Sequence, residues 1–197
     1  MYMLGIFLDI ETNGLNATKH KVLEIAYKIV DMSSGQLHKT FQAFIYQPLN
    51  VWKQSDPASL EVNGLSWDTI KKGRPVKEVA KEIISCFKQL DIQRNRAVFI
   101  CQNPSFDRTF FNQLIDPDLQ EQCNWPYHWL DLASMYWSLC IHNQSILPWE
   151  RGISKNQIAQ AYHLPTEQYP HKAMNGVEHL LLCYQAIVGF PKSSKKF

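Results

Sequence analysis

The chain has 197 residues, 45% of them hydrophobic and 19% charged, with 20 basic against 18 acidic side chains and a formal charge of +2. That is enough chain for one well-packed domain, short for two, and too apolar for a largely disordered polypeptide. The near-balanced charge neither requires nor excludes nucleic acid as a partner, because a protein that grips one strand end needs only a local basic rim. Five cysteines (Cys86, Cys101, Cys123, Cys140, Cys183) form no C-x-x-C pair, and an odd number cannot all pair within the chain. Several lie in apolar runs, where a reduced thiol packs as a small core residue. No stretch approaches the roughly 18 apolar residues of a membrane span. The first eleven residues lack the basic start of a signal peptide. The expectation is a cytoplasmic protein with no membrane partner.

The first strand-like run is Gly5–Ile10, continuing through Glu11, Thr12, Asn13 and Gly14 to Leu15. Alternate side chains on a strand share a face. Asp9 and Glu11 therefore project together, while Leu8 and Ile10 take the other face. Adjacent carboxylates repel unless a cation lies between them, and hard divalent ions favour such oxygen donors. Two solvated acids at a strand end are the plain alternative. Val22–Asp31 and Gln36–Tyr46 follow as strands joined by the turn residues Ser33, Ser34 and Gly35. Residues 47–73, punctuated by proline and glycine, are expected to hold only short helical turns. Pro75 opens a helix to about Leu90, with Val76, Val79, Ile83, Ile84 and Phe87 on one stripe and lysines opposite. Ala97–Cys101 reads as a short buried strand. Helices are predicted at Phe106–Ile115, Leu132–Ile141, Lys155–Tyr162 and Lys172–Val188. A hairpin followed by strand–helix alternation gives an α/β fold, a mixed sheet flanked by helices, in one domain over residues 1–190. Residues 191–197 form a short basic tail.

Two further blocks carry polar chemistry. Cys101-Gln102-Asn103-Pro104-Ser105-Phe106-Asp107 lies where a strand gives way to a helix, the usual place of a site in an open α/β sheet. Asp107 falls in the first helical turn, where the macrodipole favours a carboxylate. An ordinary acidic helix start would look the same. His171, in a proline-marked loop entering the last helix, reads alone as a surface or capping histidine.

Taken in order, D-x-E at Asp9 and Glu11, N-x-x-F-D ending at Asp107, and H-x-A at His171 resemble the DEDDh 3′–5′ exonuclease superfamily, in its ribonuclease T and proofreading-subunit branch. The likeness extends over nearly the whole chain. It includes Asn63-Gly64-Leu65, similar to a substrate-contacting segment of those enzymes, and Trp129-Leu130-Asp131-Leu132, with Asp131 expected as a helix N-cap. The resemblance implies a ribonuclease-H-like fold with a central five-stranded sheet. It makes Asp9, Glu11 and Asp107 metal ligands for Mg²⁺ or Mn²⁺, with His171 as general base. Two ions roughly 3.5–4 Å apart would serve the attacking and leaving oxygens. The product would be nucleoside 5′-monophosphates cut from the 3′ ends of single-stranded DNA or RNA. It also implies that Asn13, Gly14, Leu15, Asn63, Gly64, Leu65, Asn103 and Phe106 contact the substrate. Trp52 and Trp149 are candidates for stacking on bases. A homodimer is one option for the assembly.

The chain departs from that pattern at Gly176, where the family carries its fourth acid. Gly176 borders the inward face of the last helix, whereas Glu178, about 200° around a helix of 3.6 residues per turn, should face away. Asn175 and His179 are the neighbours that could replace the missing ligand, each with a plain alternative as cap or solvated polar residue. A glycine inside a helix costs roughly 1 kcal/mol against alanine, so its presence points to a local need for space. Two readings stay open: an exonuclease with a weakened or rebuilt metal site, and a nucleic-acid-binding module of the same fold without turnover.

Overall fold

The computed structural model of the protein describes residues 3–145 and 147–191. Its strands are β1 (Leu4–Thr12), β2 (Val22–Asp31), β3 (Leu37–Phe44), β4 (Ala97–Cys101) and β5 (Trp129–Asp131). The helices are α1 (Leu49–Trp52), α2 (Pro57–Asn63), α3 (Trp67–Ile70), α4 (Val76–Gln89), α5 (Pro104–Leu114), α6 (Pro117–Gln122), α7 (Leu132–His142), α8 (Pro148–Arg151), α9 (Lys155–Ala161) and α10 (Ala173–Ile187). The strands form a single mixed sheet in the order β3-β2-β1-β4-β5. The loop 13–21 joins β1 to β2 and the turn 32–36 joins β2 to β3, making the three antiparallel neighbours. β4 and β5 run parallel to β1 and each other, and so need longer helical connections.

Each predicted strand and long helix lies within two residues of an observed one. The largest offset at a helix start is in α5, which begins at Pro104, where a missing N–H costs nothing, rather than at Phe106. The sequence reading did not anticipate α6 and α8, both short and both opened by proline. The predicted basic tail falls largely on residues 192–197, outside the described residues. No helix among the described residues is long and apolar enough to cross a membrane.

The alternation of β1 divides the core. Ile6, Leu8 and Ile10 pack with Val79, Ile83 and Phe87 of α4 and with Phe110 and Phe111 of α5. Phe7 faces the other way, onto α7, α9 and α10 through Leu132, Ile158, Val177 and Leu180. A smaller cluster of Leu23, Leu65 and Ile70 closes under the loop segment, with Trp52 and Trp67 against it, their rings 6.0 Å apart. Trp52 is therefore a packing residue rather than a free stacking surface. Trp149 remains exposed beside Trp137.

Glu24 fixes how α10 lies on the sheet. It is fully buried opposite Glu11 in the β1–β2 register. Its Oε2 accepts the N–H of Ala173 at 3.2 Å, and its Oε1 accepts Gln42 Nε2 at 2.6 Å. A carboxylate on a helix's first N–H satisfies an orphan donor and complements the dipole.

Phe99 of β4 is fully buried, stacked on Trp129 at 4.0 Å and in edge contact with Phe111 at 5.6 Å. Phe99→Ala is expected to cost about 3–5 kcal/mol in urea unfolding followed by far-ultraviolet circular dichroism. A loss below about 1 kcal/mol would contradict this packing.

Candidate active site

Asp9 and Glu11 occupy the Phe7 face of β1, as alternation requires, at the edge where the carboxyl ends of β1 and β4 meet. Asp107 reaches the same place from the first turn of α5. All three line one pocket of about 240 Å³ with Lys155, Glu167 and His171. Burial, then the mutual repulsion of the acids, sets their titration. Glu11 is pushed up to about 8 by burial and by the charges of Asp9, Glu24 and Glu167. Burial likewise raises Asp9, outweighing the nearby Lys155, and burial with Asp9's charge raises Asp107 well above the carboxylate range.

Lys155 and Glu167 belong to this pocket, and sequence reading assigned neither to it. Lys155 is the first residue of α9, fixed by a reciprocal cap in which Ser154 Oγ accepts the Gln157 N–H and Gln157 Oε1 accepts the Ser154 N–H. Its ammonium lies 2.9 Å from Glu167 Oε2 and 3.6 Å from Asp9 Oδ1, and donates to the Gly176 carbonyl at 3.3 Å. Burial alone would lower its pKa, but Asp9 and Glu167 outweigh burial and raise it. Glu167 is anchored by its own N–H on Asn156 Oδ1 at 2.7 Å. The S-x-x-Q spacing at 154–157 was the local signal for the cap. Nothing local marks Glu167, which comes from an irregular loop.

Gly176 is buried against the acids. A Cβ there would stand 2.3 Å from Asp9 Oδ2, so the Asp9 carboxylate fills the space a side chain at 176 would take. Glu178 points away and pairs with Lys28 at 2.7 Å, as expected. Neither alternative ligand lines the pocket. Asn175 donates to Gln168 Oε1 at 3.3 Å, and His179 Nε2 meets the Pro165 carbonyl at 2.9 Å.

His171 sits on a loop strapped to the end of α2. Its N–H donates to the Val62 carbonyl at 2.9 Å, Tyr169 Oη donates to the Glu61 carbonyl at 2.8 Å, and Lys172 Nζ donates to the Asn63 carbonyl at 2.7 Å. Gly64, left-handed at φ 58°, lies under Pro170, which would collide with any Cβ there. The Asn63–Leu65 segment thus docks the histidine loop. Asn63 also donates from Nδ2 to the Thr12 carbonyl at 2.9 Å, tying that loop to the end of β1.

The remaining predicted contact residues divide. Leu15, 75% exposed, Asn63 and Phe106 border an apolar groove of about 300 Å³ that shares Ile10, Glu11 and Phe106 with the acid pocket. Leu65 packs in the core with Leu23 and Ile70 and does not border the groove. The Asn13 side chain is consumed internally, accepting the Lys21 N–H and donating towards Val51 and Ser55. Gly14 lies against the His20 ring. Asn103, left-handed at φ 57°, starts α5 and donates its N–H to Asp131 Oδ1 at 3.0 Å. Asp131 is the N-cap of α7, accepting from Ala133 and Ser134, as expected.

The donor set suits a hard divalent cation, because several carboxylates are buried together with one ammonium to offset them. Among the described residues no three His, Cys, Asp or Glu side chains already converge as a metal cage.

The family profile described as Exonuclease (RNase_T) matches residues 6–181. Ribonuclease T of Shewanella frigidimarina (strain NCIMB 400) is 29% identical over 119 residues, covering 56% of this chain and 52% of that protein. Ribonuclease T of Shewanella denitrificans is 28% identical over 142 residues, covering 66% of this chain and 60% of that protein. The matched region therefore spans between about half and three fifths of those relatives' length. Among solved structures, E. coli exonuclease I in complex with a dT13 oligonucleotide superposes with a TM-score of 0.75 at 14% identity, over 94% of this chain and 41% of that one. Cell-death related nuclease 4 gives 0.74 at 13% identity, over 95% and 64%. These likenesses are of fold: a mixed five-stranded sheet flanked by helices.

The raised carboxyls fix a pH dependence. With Glu11 at about 8 against an unfolded value of about 4.3, the folded metal-free protein holds a proton that the unfolded chain has released. Stability from this group is therefore lost as pH rises towards 8. Asp9 and Asp107 act in the same sense. His179, whose pKa burial lowers, opposes them only below the ordinary histidine range of about 6.5. Thermal melts in chelator should show the melting temperature falling between about pH 6.5 and about pH 8. Glu11→Gln should flatten that slope. A melting temperature that rises over the interval would overturn the assignment.

Proposed function

The chain belongs to the exonuclease family, whose profile it matches over residues 6–181. From that premise we propose that it is a divalent-cation-dependent 3′–5′ exonuclease acting on single-stranded DNA or RNA and releasing nucleoside 5′-monophosphates. The observation that carries this reading is the meeting of Asp9, Glu11, Asp107 and His171 in one pocket that opens into an apolar groove. In fold, its relative exonuclease I was captured with a dT13 oligonucleotide, which favours a single-stranded substrate.

Asp9, Glu11 and Asp107 are the residues that would hold the ion, which when bound supplies Lewis-acid charge and acidifies its water. His171 lines the same pocket as the acids, and a ring nitrogen there can accept the proton of the attacking water. The water oxygen bonds to phosphorus as the bond from phosphorus to the 3′-oxygen of the penultimate nucleotide breaks. The second water proton balances the charge on the departing oxygen, and the phosphate stays on the 5′-oxygen of the released nucleotide. Leu15 and Phe106 offer the terminal base an apolar seat in the groove, with Asn63 holding its floor. The strap from the histidine loop to α2 keeps groove and proton acceptor in fixed relation.

One observation favours the second reading, a binding module without turnover. Lys155 already pairs with Asp9, the central acid of the cluster, and no acid stands at 176.

A strand labelled at its 5′ end, incubated with Mg²⁺ or Mn²⁺, should give a ladder shortening from the 3′ end. His171→Ala should slow it by about 10²–10⁴-fold, and Asp107→Asn should abolish it. Binding without cleavage would replace the enzyme by the binding module. Neither binding nor cleavage would sink both.

A further inference from the structure

Lys155 stands where a positive charge is unhelpful to its own helix. It is the first residue of α9, at the positive end of the dipole, yet its side chain is only 11% exposed and directed among the acids. Around its ammonium are Glu167 Oε2 at 2.9 Å, the Gly176 carbonyl at 3.3 Å and Asp9 Oδ1 at 3.6 Å. Two carboxylates and a backbone carbonyl are an oxygen set suited to a hard divalent ion. Here an ammonium takes it, close to Glu167 and Gly176 and within ion-pair reach of Asp9.

Two features around this group reinforce one another. Gly176 gives the Asp9 carboxylate room to stand beside Lys155, since a Cβ would come within 2.3 Å of Asp9 Oδ2. An acid at 176 and Asp9 in its present position exclude one another. Glu167, with a side chain only 3% exposed, brings an acid into the pocket from a different backbone position. Its second oxygen, Oε1, is buried without a hydrogen-bond partner and faces His171 Nδ1 at 3.7 Å. A buried carboxylate oxygen left unpartnered is costly, so Glu167 keeps a free acceptor beside the pocket.

We propose that the Lys155 ammonium, held by Glu167, occupies the place of one of two cations, so that this centre takes a single divalent ion between Asp9, Glu11 and Asp107. A second ion in the Lys155 position would face a like charge in a half-buried pocket. Removing the ammonium would free Asp9, Glu167 and the Gly176 carbonyl to accept one. The inference rests on the proposed function only in taking this pocket as the metal centre.

Crystals soaked in Mn²⁺, read by anomalous scattering, should show one peak in the wild-type pocket. A Mn²⁺ titration followed by electron paramagnetic resonance should count one ion per chain. In Lys155→Met the count should rise to two, the new peak lying between Asp9, Glu167 and the Gly176 carbonyl. Two ions or none in the wild type would overturn the proposal, as would an unchanged count in folded Lys155→Met. Lys155→Gln replaces the methionine variant should that fail to fold, and the wild-type count decides alone if both do. Cleavage is scored separately. One ion without cleavage would leave this inference standing and remove the enzyme, whereas cleavage with two ions would do the reverse.

Discussion

Four carboxylates, Asp9, Glu11, Asp107 and Glu167, crowd one pocket. Desolvated like charges raise one another's pKa and favour the neutral form unless a cation intervenes. Lys155 is the cation the chain itself supplies, and most of what surrounds the site can be understood as holding it and its partners in place. The Ser154–Gln157 cap sets the start of α9, Asn156 anchors the Glu167 backbone, and Gly176 offers both an acceptor and the space for Asp9.

The sheet contributes a second level of restraint. β1 lies at its centre, bonded to β2 along its length and to β4 over Leu4–Phe7, so its two acids project just past the β4 pairing while β2 still holds their backbone. Glu24 extends that constraint outward by capping α10 from inside the sheet. The loop before α10 is then tied to α2 by three hydrogen bonds, which places His171 opposite the acids. Rigid support of this kind is what an oriented proton acceptor needs, since small misplacements cost rate steeply. It serves a binding groove equally well.

Much of this was legible before any coordinates. The D-x-E spacing on a strand puts two carboxylates on one face by backbone geometry alone, and they are found there. Asp131 was readable as an N-cap because a short acid followed by a helical run has one common use. The neighbours of Leu65, Asn63 and Gly64, dock the histidine loop, while its own side chain turns under the loop into the small cluster with Leu23 and Ile70, a difference no local spacing marks. Trp52 likewise packs beside Trp67, since loop sequence says little about which side chains fold inward.

The sequence by itself determined the order of strands and helices, the acid pair on β1, the acid in the first turn of α5 and the absence of an acid at 176. Local periodicity and short-range spacing encode the elements and the acids, and the glycine at 176 stands out only against the pattern the chain resembles. Only the tertiary structure decided what surrounds Asp9 in the pocket. Lys155 and Glu167 are twelve residues apart, and each is remote in sequence from Asp9. They become neighbours only when α9 and α10 pack onto one face of the sheet. Electrostatic compensation acts through space and leaves no period in the chain. Of the two neighbours suggested by proximity in sequence, Asn175 is engaged with Gln168, while His179 bonds the Pro165 carbonyl through Nε2 and turns Nδ1 towards Glu167 Oε2 at 3.8 Å.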